Sequence, residues 1–162
     1  MTMNNEIQNI INNQINAELQ SFYAYLGMAA YFDEQSLEGF AHWAKKQSEE
    51  EHEHAMKFYR HLQERGGSVE LKALEPVDTS FNSVVAAFKA ALKQEQHITK
   101  LIHEMYDKAI SRKDYPLQQL LNWFIEEQVE EEDMVQTIID QLERVGDSGE
   151  GILMLDRELK SR

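Results

Sequence analysis

The sequence has no cysteine, which excludes disulfides, thiolate metal sites and cysteine nucleophiles. Helix breakers are scarce, with two prolines and seven glycines, mostly near the ends of the apolar-periodic stretches. Cationic residues are also few: sixteen Lys and Arg stand against twenty-nine Asp and Glu, a formal net charge of −13. No basic patch is denser than Lys45-Lys46 or Arg112-Lys113, so neither nucleic acid nor an anionic membrane is an expected partner. No apolar run nears the ~20 residues of a membrane span. The segment Met1-Thr2-Met3-Asn4-Asn5-Glu6 carries neither the basic nor the apolar part of a leader, and the cytoplasm is the expected location. What remains is rich in Glu, Gln, Leu, Ala and Lys, all strong helix formers.

The apolar residues recur at helical spacing nearly throughout, so the expected fold is all-α in one domain, 1–162. A first helix is expected from about residue 4 to 32, on a stripe of Ile7, Ile11, Ile15, Phe22, Tyr25 and Ala29. A second runs from about 37 to 65, on Phe40, Trp43, Phe58 and Leu62, and stops at Gly66-Gly67. A third runs from about 79 to 111 with Thr79-Ser80 as its cap, on Val84, Phe88, Leu92, Ile98, Ile102, Met105 and Ala109. A fourth runs from about 116 to 144, on Leu120, Phe124, Val135, Ile138 and Leu142, with Pro116 in its first turn. A short fifth, about 148 to 159, carries Ile152, Leu155 and Leu159. The first and third connections suit antiparallel hairpins. The second, roughly fifteen residues, reaches ~50 Å when extended, whereas a helix of about 28 residues is ~42 Å long. It can cross the whole bundle and join two hairpins in parallel.

Each stripe is interrupted by polar residues. Glu18 falls between Ile15 and Phe22, and Glu95 between Leu92 and Ile98. Glu131 follows Phe124, with Gln128 one turn earlier. Gln47, Glu51 and His54 fill the gap between Trp43 and Phe58, at the 3-4-4-3 spacing of one helix face. Buried carboxylates must be paired or hold metals. Four of them, one per helix, can converge at mid-bundle, and two divalent cations would balance them. One Glu from each of two helices with Glu-x-x-His motifs is the di-iron carboxylate pattern. Glu51 and His54 supply one such motif. The alternative pair, Glu49 and His52, is off the stripe: Glu49 lies about 160° from Glu51 around the helix. Oxygen and nitrogen donors without sulfur suit iron, manganese or zinc. Glu50, Glu127 and Glu130 sit beside the stripes, and the charge pattern leaves them either solvent-facing or ligating. Tyr25 is either a core tyrosine or a donor of a hydrogen bond or an electron near the metals. Trp43 and Trp123 read as core, and His42, His61, His97 and His103 as surface.

These motifs, in order and at matching spacing over essentially the whole chain, resemble the bacterial non-haem ferritins. The matching segments are Asn16-Ala17-Glu18-Leu19, Glu50-Glu51-His52-Glu53-His54 and Glu95-Gln96-His97-Ile98-Thr99. They continue with Asp114-Tyr115-Pro116, Glu127-Gln128-Val129-Glu130-Glu131-Glu132 and Gly146-Asp147-Ser148-Gly149-Glu150-Gly151. The resemblance implies a ferritin-like four-helix bundle that oxidises Fe(II) with dioxygen or peroxide and mineralises the product inside a cage of twenty-four identical subunits. By position, Glu18, Glu51 and His54 would hold the first iron. Glu51 would bridge to a second held by Glu95 and Glu131, with Gln128 close by and Tyr25 beside the pair. Glu50, Glu127 and Glu130 match a third iron site. His52 stands where haem-containing bacterioferritins carry a methionine, and Met134 where they carry a histidine, so no haem is expected. Glu131 separates the chain from animal heavy chains, which lack a carboxylate there. A rubrerythrin-like di-iron enzyme would usually bring cysteines. A DNA-binding mini-ferritin would bring a basic tail and a helix in the long connection. A metal-free bundle would gain stability from Glu51→Ala or Glu131→Ala.

Overall fold

The computed structural model describes residues 3–162; Met1 and Thr2, part of the segment without a leader pattern, lie outside the described residues. Five helices and no strand occur among those residues: α1 (Asn5–Glu34), α2 (Glu38–Glu64), α3 (Val84–Ser111), α4 (Tyr115–Val145) and α5 (Gly149–Leu159). The hairpin α1–α2 lies against the hairpin α3–α4, and α5 packs on α2 and α4. None of the helices is long and apolar enough to cross a membrane.

Local chemistry sets the helix ends. The side chains of Asn4, Ser83, Asp114 and Ser148 each accept from a backbone N–H in the first turn that follows. The cap of α3 is thus Ser83, not the expected Thr79-Ser80. Phe81 packs edge-on to Tyr31, ring centroids 5.3 Å apart, which pins the chain ahead of the helix. Both short turns pass through a non-glycine residue of positive φ, Ser36 at 58° and Lys113 at 54°. In each, the next residue's N–H reaches back to close the helix: Leu37 to Phe32 O at 3.0 Å and Asp114 to Ala109 O at 2.9 Å. The first turn of α2 has no capping side chain of its own. Asp156 of α5 serves instead, its buried carboxylate accepting from Phe40 N at 2.9 Å.

The long connection, residues 65–83, crosses the bundle along α1. It is held by a ladder of side-chain amides spaced one turn apart. Gln8 accepts from Ser68 N, and Asn12 bonds both Ser68 O and Glu70 N. Asn16 bonds Glu70 O and Lys72 N, and Gln20 bonds Glu75 O and Glu75 N, all at 2.8–3.0 Å. The amides offer the strap the donor–acceptor pairing that a neighbouring strand would. Gly27 lets it approach: a Cβ there would lie 2.4 Å from Asp78 O.

The core is divided. One apolar cluster gathers Tyr25, Phe32, Phe40, Trp43, Phe88, Val135 and Leu142. The other gathers Ile7, Ile11, Ile15, Phe58, Leu62, Ile102, Leu121 and Phe124, with Phe58 and Phe124 stacked at 4.2 Å. Each large side chain contributes ~1.5–3 kcal/mol by leaving water. Between the clusters lies a polar layer from all four long helices. Trp123, expected in the core, is 38 % exposed beneath the Lys57 ammonium. Its position, one residue before buried Phe124, rotates it off the apolar stripe. His97 and His103 are exposed, whereas His42 and His61 are half-buried.

Close packing joins α5 to the rest. A Cβ on Gly39 would lie 1.5 Å from Asp156 O, so Gly39→Ala is expected to lever α5 off α2. Limited proteolysis should then cut residues 149–162 faster than in the parent, and denaturation should show a loss of roughly 1–3 kcal/mol. Unchanged proteolysis would mean that α5 docks without this contact.

Candidate metal centre

The polar layer is built from side chains that face inward on each helix. Glu18 comes from α1, Glu51 and His54 from α2, Glu95 from α3, and Gln128 and Glu131 from α4. All six are buried, and Glu18, Glu51 and Glu95 are 0 % exposed. Leaving a buried polar atom without a partner costs ~1–3 kcal/mol. Four such atoms occur here: Glu18 Oε2, Glu51 Oε2, His54 Nδ1 and Gln128 Oε1.

Three of those orphans converge. His54 Nδ1 lies 3.8 Å from Glu18 Oε2 and 3.5 Å from Glu51 Oε2. Donors bound to one ion at ~2.0–2.2 Å are separated by up to about twice that distance, so the three atoms can share a cation. Glu51, Glu95 and Glu131 form a second group with ligand atoms within 4.8 Å of one another. Glu51 belongs to both, which suits a bridging carboxylate. His54, Glu127 and Glu131 form a third such group, with His54 Nε2 3.8 Å from Glu127 Oε1.

Five other carboxylate oxygens of the layer are held by hydrogen bonds. Gln14 Nε2 donates to Glu18 Oε1 at 3.0 Å, and Gln47 Nε2 to Glu51 Oε1 at 3.0 Å and to Glu131 Oε2. The Tyr25 hydroxyl donates to Glu95 Oε1 at 2.9 Å. Gln128 Nε2 donates to Glu95 Oε2 at 3.2 Å and to Thr99 Oγ1 at 3.1 Å. Thr99 passes the chain on to Glu132 Oε2 at 2.5 Å. Trp123 covers His54 edge-on, centroids 5.5 Å apart.

Electrostatics match the crowding. Burial first, and then the Glu51 charge, pushes the Glu18 and Glu95 carboxyls well above their ordinary value. Burial, with Glu95, Glu51 and Glu50 nearby, pushes Glu131 up to about 10. Burial and the adjacent carboxylates raise Tyr25 as well. Burial and mutual repulsion therefore favour the protonated forms of Glu18, Glu95 and Glu131.

Of the residues assigned to the third iron, Glu127 joins His54 and Glu131. Glu50 and Glu130 are exposed, and Glu50 Oε2 accepts from Arg162 at 2.9 Å. Among the described residues, Glu50, Glu127 and Glu130 do not come together as one ligand set. Sequence reasoning gave no role to Gln14 or Gln47. Their signal is shared: each is a glutamine one turn before a buried glutamate on the same face. Arg162 gave no signal.

A family model for the ferritin-like domain matches residues 8–145. The chain belongs to the ferritin family. It is 39 % identical over 152 residues to a bacterial non-heme ferritin of Staphylococcus aureus (strain USA300), covering 94 % of this chain and 92 % of the relative. It is 38 % identical over 160 residues to the corresponding protein of Staphylococcus saprophyticus, covering 99 % and 96 %. Among solved structures, an open pore ferritin from the hyperthermophilic archaeon Archaeoglobus fulgidus superposes with a TM-score of 0.97 at 40 % identity, covering 99 % of each chain. As a ferritin, the protein stores iron and acts as a ferroxidase.

A pH dependence follows from the raised carboxyls. In the metal-free fold, Glu18, Glu95 and Glu131 keep protons that the unfolded chain loses near 4.5. The unfolded state then binds fewer protons, so stability falls as pH rises from that value toward about 10, where Glu131 ionises. Denaturation of chelator-treated protein at about pH 5, 7 and 9 should show this decline. Calorimetry in buffers of different ionisation heat should show protons released on metal binding. A metal-free protein that grows more stable over this range would contradict the assignment.

Proposed function

We propose that this ferritin oxidises Fe(II) at a paired site in the polar layer, with iron as the substrate. The observation that carries the proposal is the convergence of partnerless Glu18 Oε2, Glu51 Oε2 and His54 Nδ1 in a buried layer. These three residues would hold the first iron. Glu51 would bridge to the second, held by Glu95 and Glu131 with Gln128 beside it. Two Fe(II) give up two electrons. One dioxygen takes both, with two protons, to become hydrogen peroxide; alternatively one peroxide takes both, with two protons, to become two waters. The carboxylates favour Fe(III) by neutralising its extra charge. The Tyr25 hydroxyl and the Gln47 and Gln14 amides fix which carboxylate oxygens face the metals. The apolar clusters on either side keep bulk water out.

Oxidised iron then leaves past Glu127, the acid that already faces His54. A third site with Glu50 and Glu130 requires Glu50 to leave Arg162 and Glu130 to turn inward. Storage needs an enclosed volume that one subunit cannot provide, so we propose a homo-oligomeric cage of twenty-four subunits in the cytoplasm. Exposed apolar side chains such as Leu71, Tyr115, Val129 and Met154 are of the kind that subunit contacts cover. The solved relatives described as an open pore ferritin and its engineered closed form fit such a shell. With His52 after the bridging Glu51, no haem is expected.

Aerobic Fe(II) oxidation by the assembled protein should exceed the rate in buffer. Glu51→Ala and His54→Ala should each slow it at least roughly tenfold. His52→Ala, on the exposed face, should leave it near the parent rate. A folded assembly no faster than buffer would sink the proposal. Equal effects at His52 and His54 would overturn the register. Size-exclusion chromatography of the same sample checks the cage, which a small dimer would contradict.

A further inference from the structure

Arg162 is a strongly charged side chain that the proposed centre does not use. It lies beyond α5, 115 positions from Gln47 in sequence, yet its side chain is only 19 % exposed. Its Nη2 donates to Gln47 Oε1 at 2.7 Å and to Glu50 Oε2 at 2.9 Å. Its Nη1 donates to Trp43 O at 3.2 Å, and the guanidinium sits 4.9 Å from the Trp43 ring centre. Trp43 in turn meets Tyr25 edge-on at 6.0 Å, and Tyr25 holds Glu95.

The Gln47 amide has two unlike ends and is fully buried. Its Nε2 faces Glu51 Oε1 and Glu131 Oε2, which belong to two of the three carboxylates grouped at the second iron position. Turned over, the amide would aim an oxygen at two carboxylates and an N–H at a guanidinium. A cation at the far end makes the productive orientation the only one satisfied on both sides. We propose that Arg162 is a positioning residue of the paired iron centre, acting through Gln47. This rests on the paired-centre reading. By fixing Gln47, Arg162 fixes which oxygens of Glu51 and Glu131 are left for the metals, and it does so from outside the four-helix bundle. The anchorage needs a fork of donors: Gln47, Glu50 and the Trp43 carbonyl are served at once, which a lysine ammonium on a flexible stem cannot reproduce.

The test uses the assembled protein, with Co(II) as the probe of ligand geometry and initial Fe(II) oxidation as the rate. Arg162→Gln and Arg162→Lys should both change the visible spectrum of bound Co(II) and slow oxidation roughly tenfold. Lys160→Gln breaks another tether beyond α5, the 2.9 Å pair with Glu38, without touching Gln47, and should keep the parent spectrum. Gln47→Leu should reproduce the Arg162→Gln spectrum, and adding Arg162→Gln to it should change nothing further. If Arg162→Gln fails to assemble, Arg162→Lys carries the same comparison. Parent-like behaviour of Arg162→Lys overturns the clamp, as does additivity in the double variant. Failure of the parent to bind Co(II) overturns the paired centre, and the clamp with it.

Discussion

Four glutamates meet in the middle of an apolar bundle without enough protein cations to balance them. Everything else at the centre answers that constraint. Bringing such groups together as anions is costly, and burial raises Glu18, Glu95 and Glu131 together. The fold answers the conflict with neutral donors and raised carboxyls, and it leaves three converging atoms without a hydrogen-bond partner. A site satisfied by the protein alone would have no affinity to spare for a cargo ion.

The apolar clusters make the arrangement affordable by flanking the polar layer instead of surrounding each acid. Rings stacked on either side, Phe58 on Phe124 and Phe32 on Phe88, hold the four helices at fixed spacing. The ligands then inherit their positions from rigid helices and not from loops, which favours a defined geometry. The amides of Gln14 and Gln47, one turn before Glu18 and Glu51, complete the rigidity with short-range bonds along the same helices.

The helices and the interrupted stripes were legible in the sequence because both follow from the 3.6-residue period. Choosing His54 over His52 needed only that period, and the structure puts His54 in the layer and His52 on the surface. Local turn chemistry was less legible. Thr79 and Ser80 look like a cap as much as Ser83 does, and the anchoring of Phe81 on Tyr31 is a tertiary contact. The same limit explains Trp123, whose neighbour Phe124 takes the core position. Asp156 and Arg162 were invisible for a stronger reason. Each acts on α2 from more than a hundred positions away, and no period links them. For Glu50, Glu127 and Glu130 the family likeness supplied a role, whereas the geometry groups Glu127 with His54 and Glu131.

The strap across α1 is gripped by its main chain. Gln8, Asn12, Asn16 and Gln20 hold backbone N–H and C=O groups of residues 68–75, whatever side chains those residues carry. The two partners therefore face unequal evolutionary freedom. The helix must keep its four amides in step, while the strap positions that face outward, unlike Val69 on the apolar core, can change in sequence and rewrite the outer face of the protein without losing those bonds.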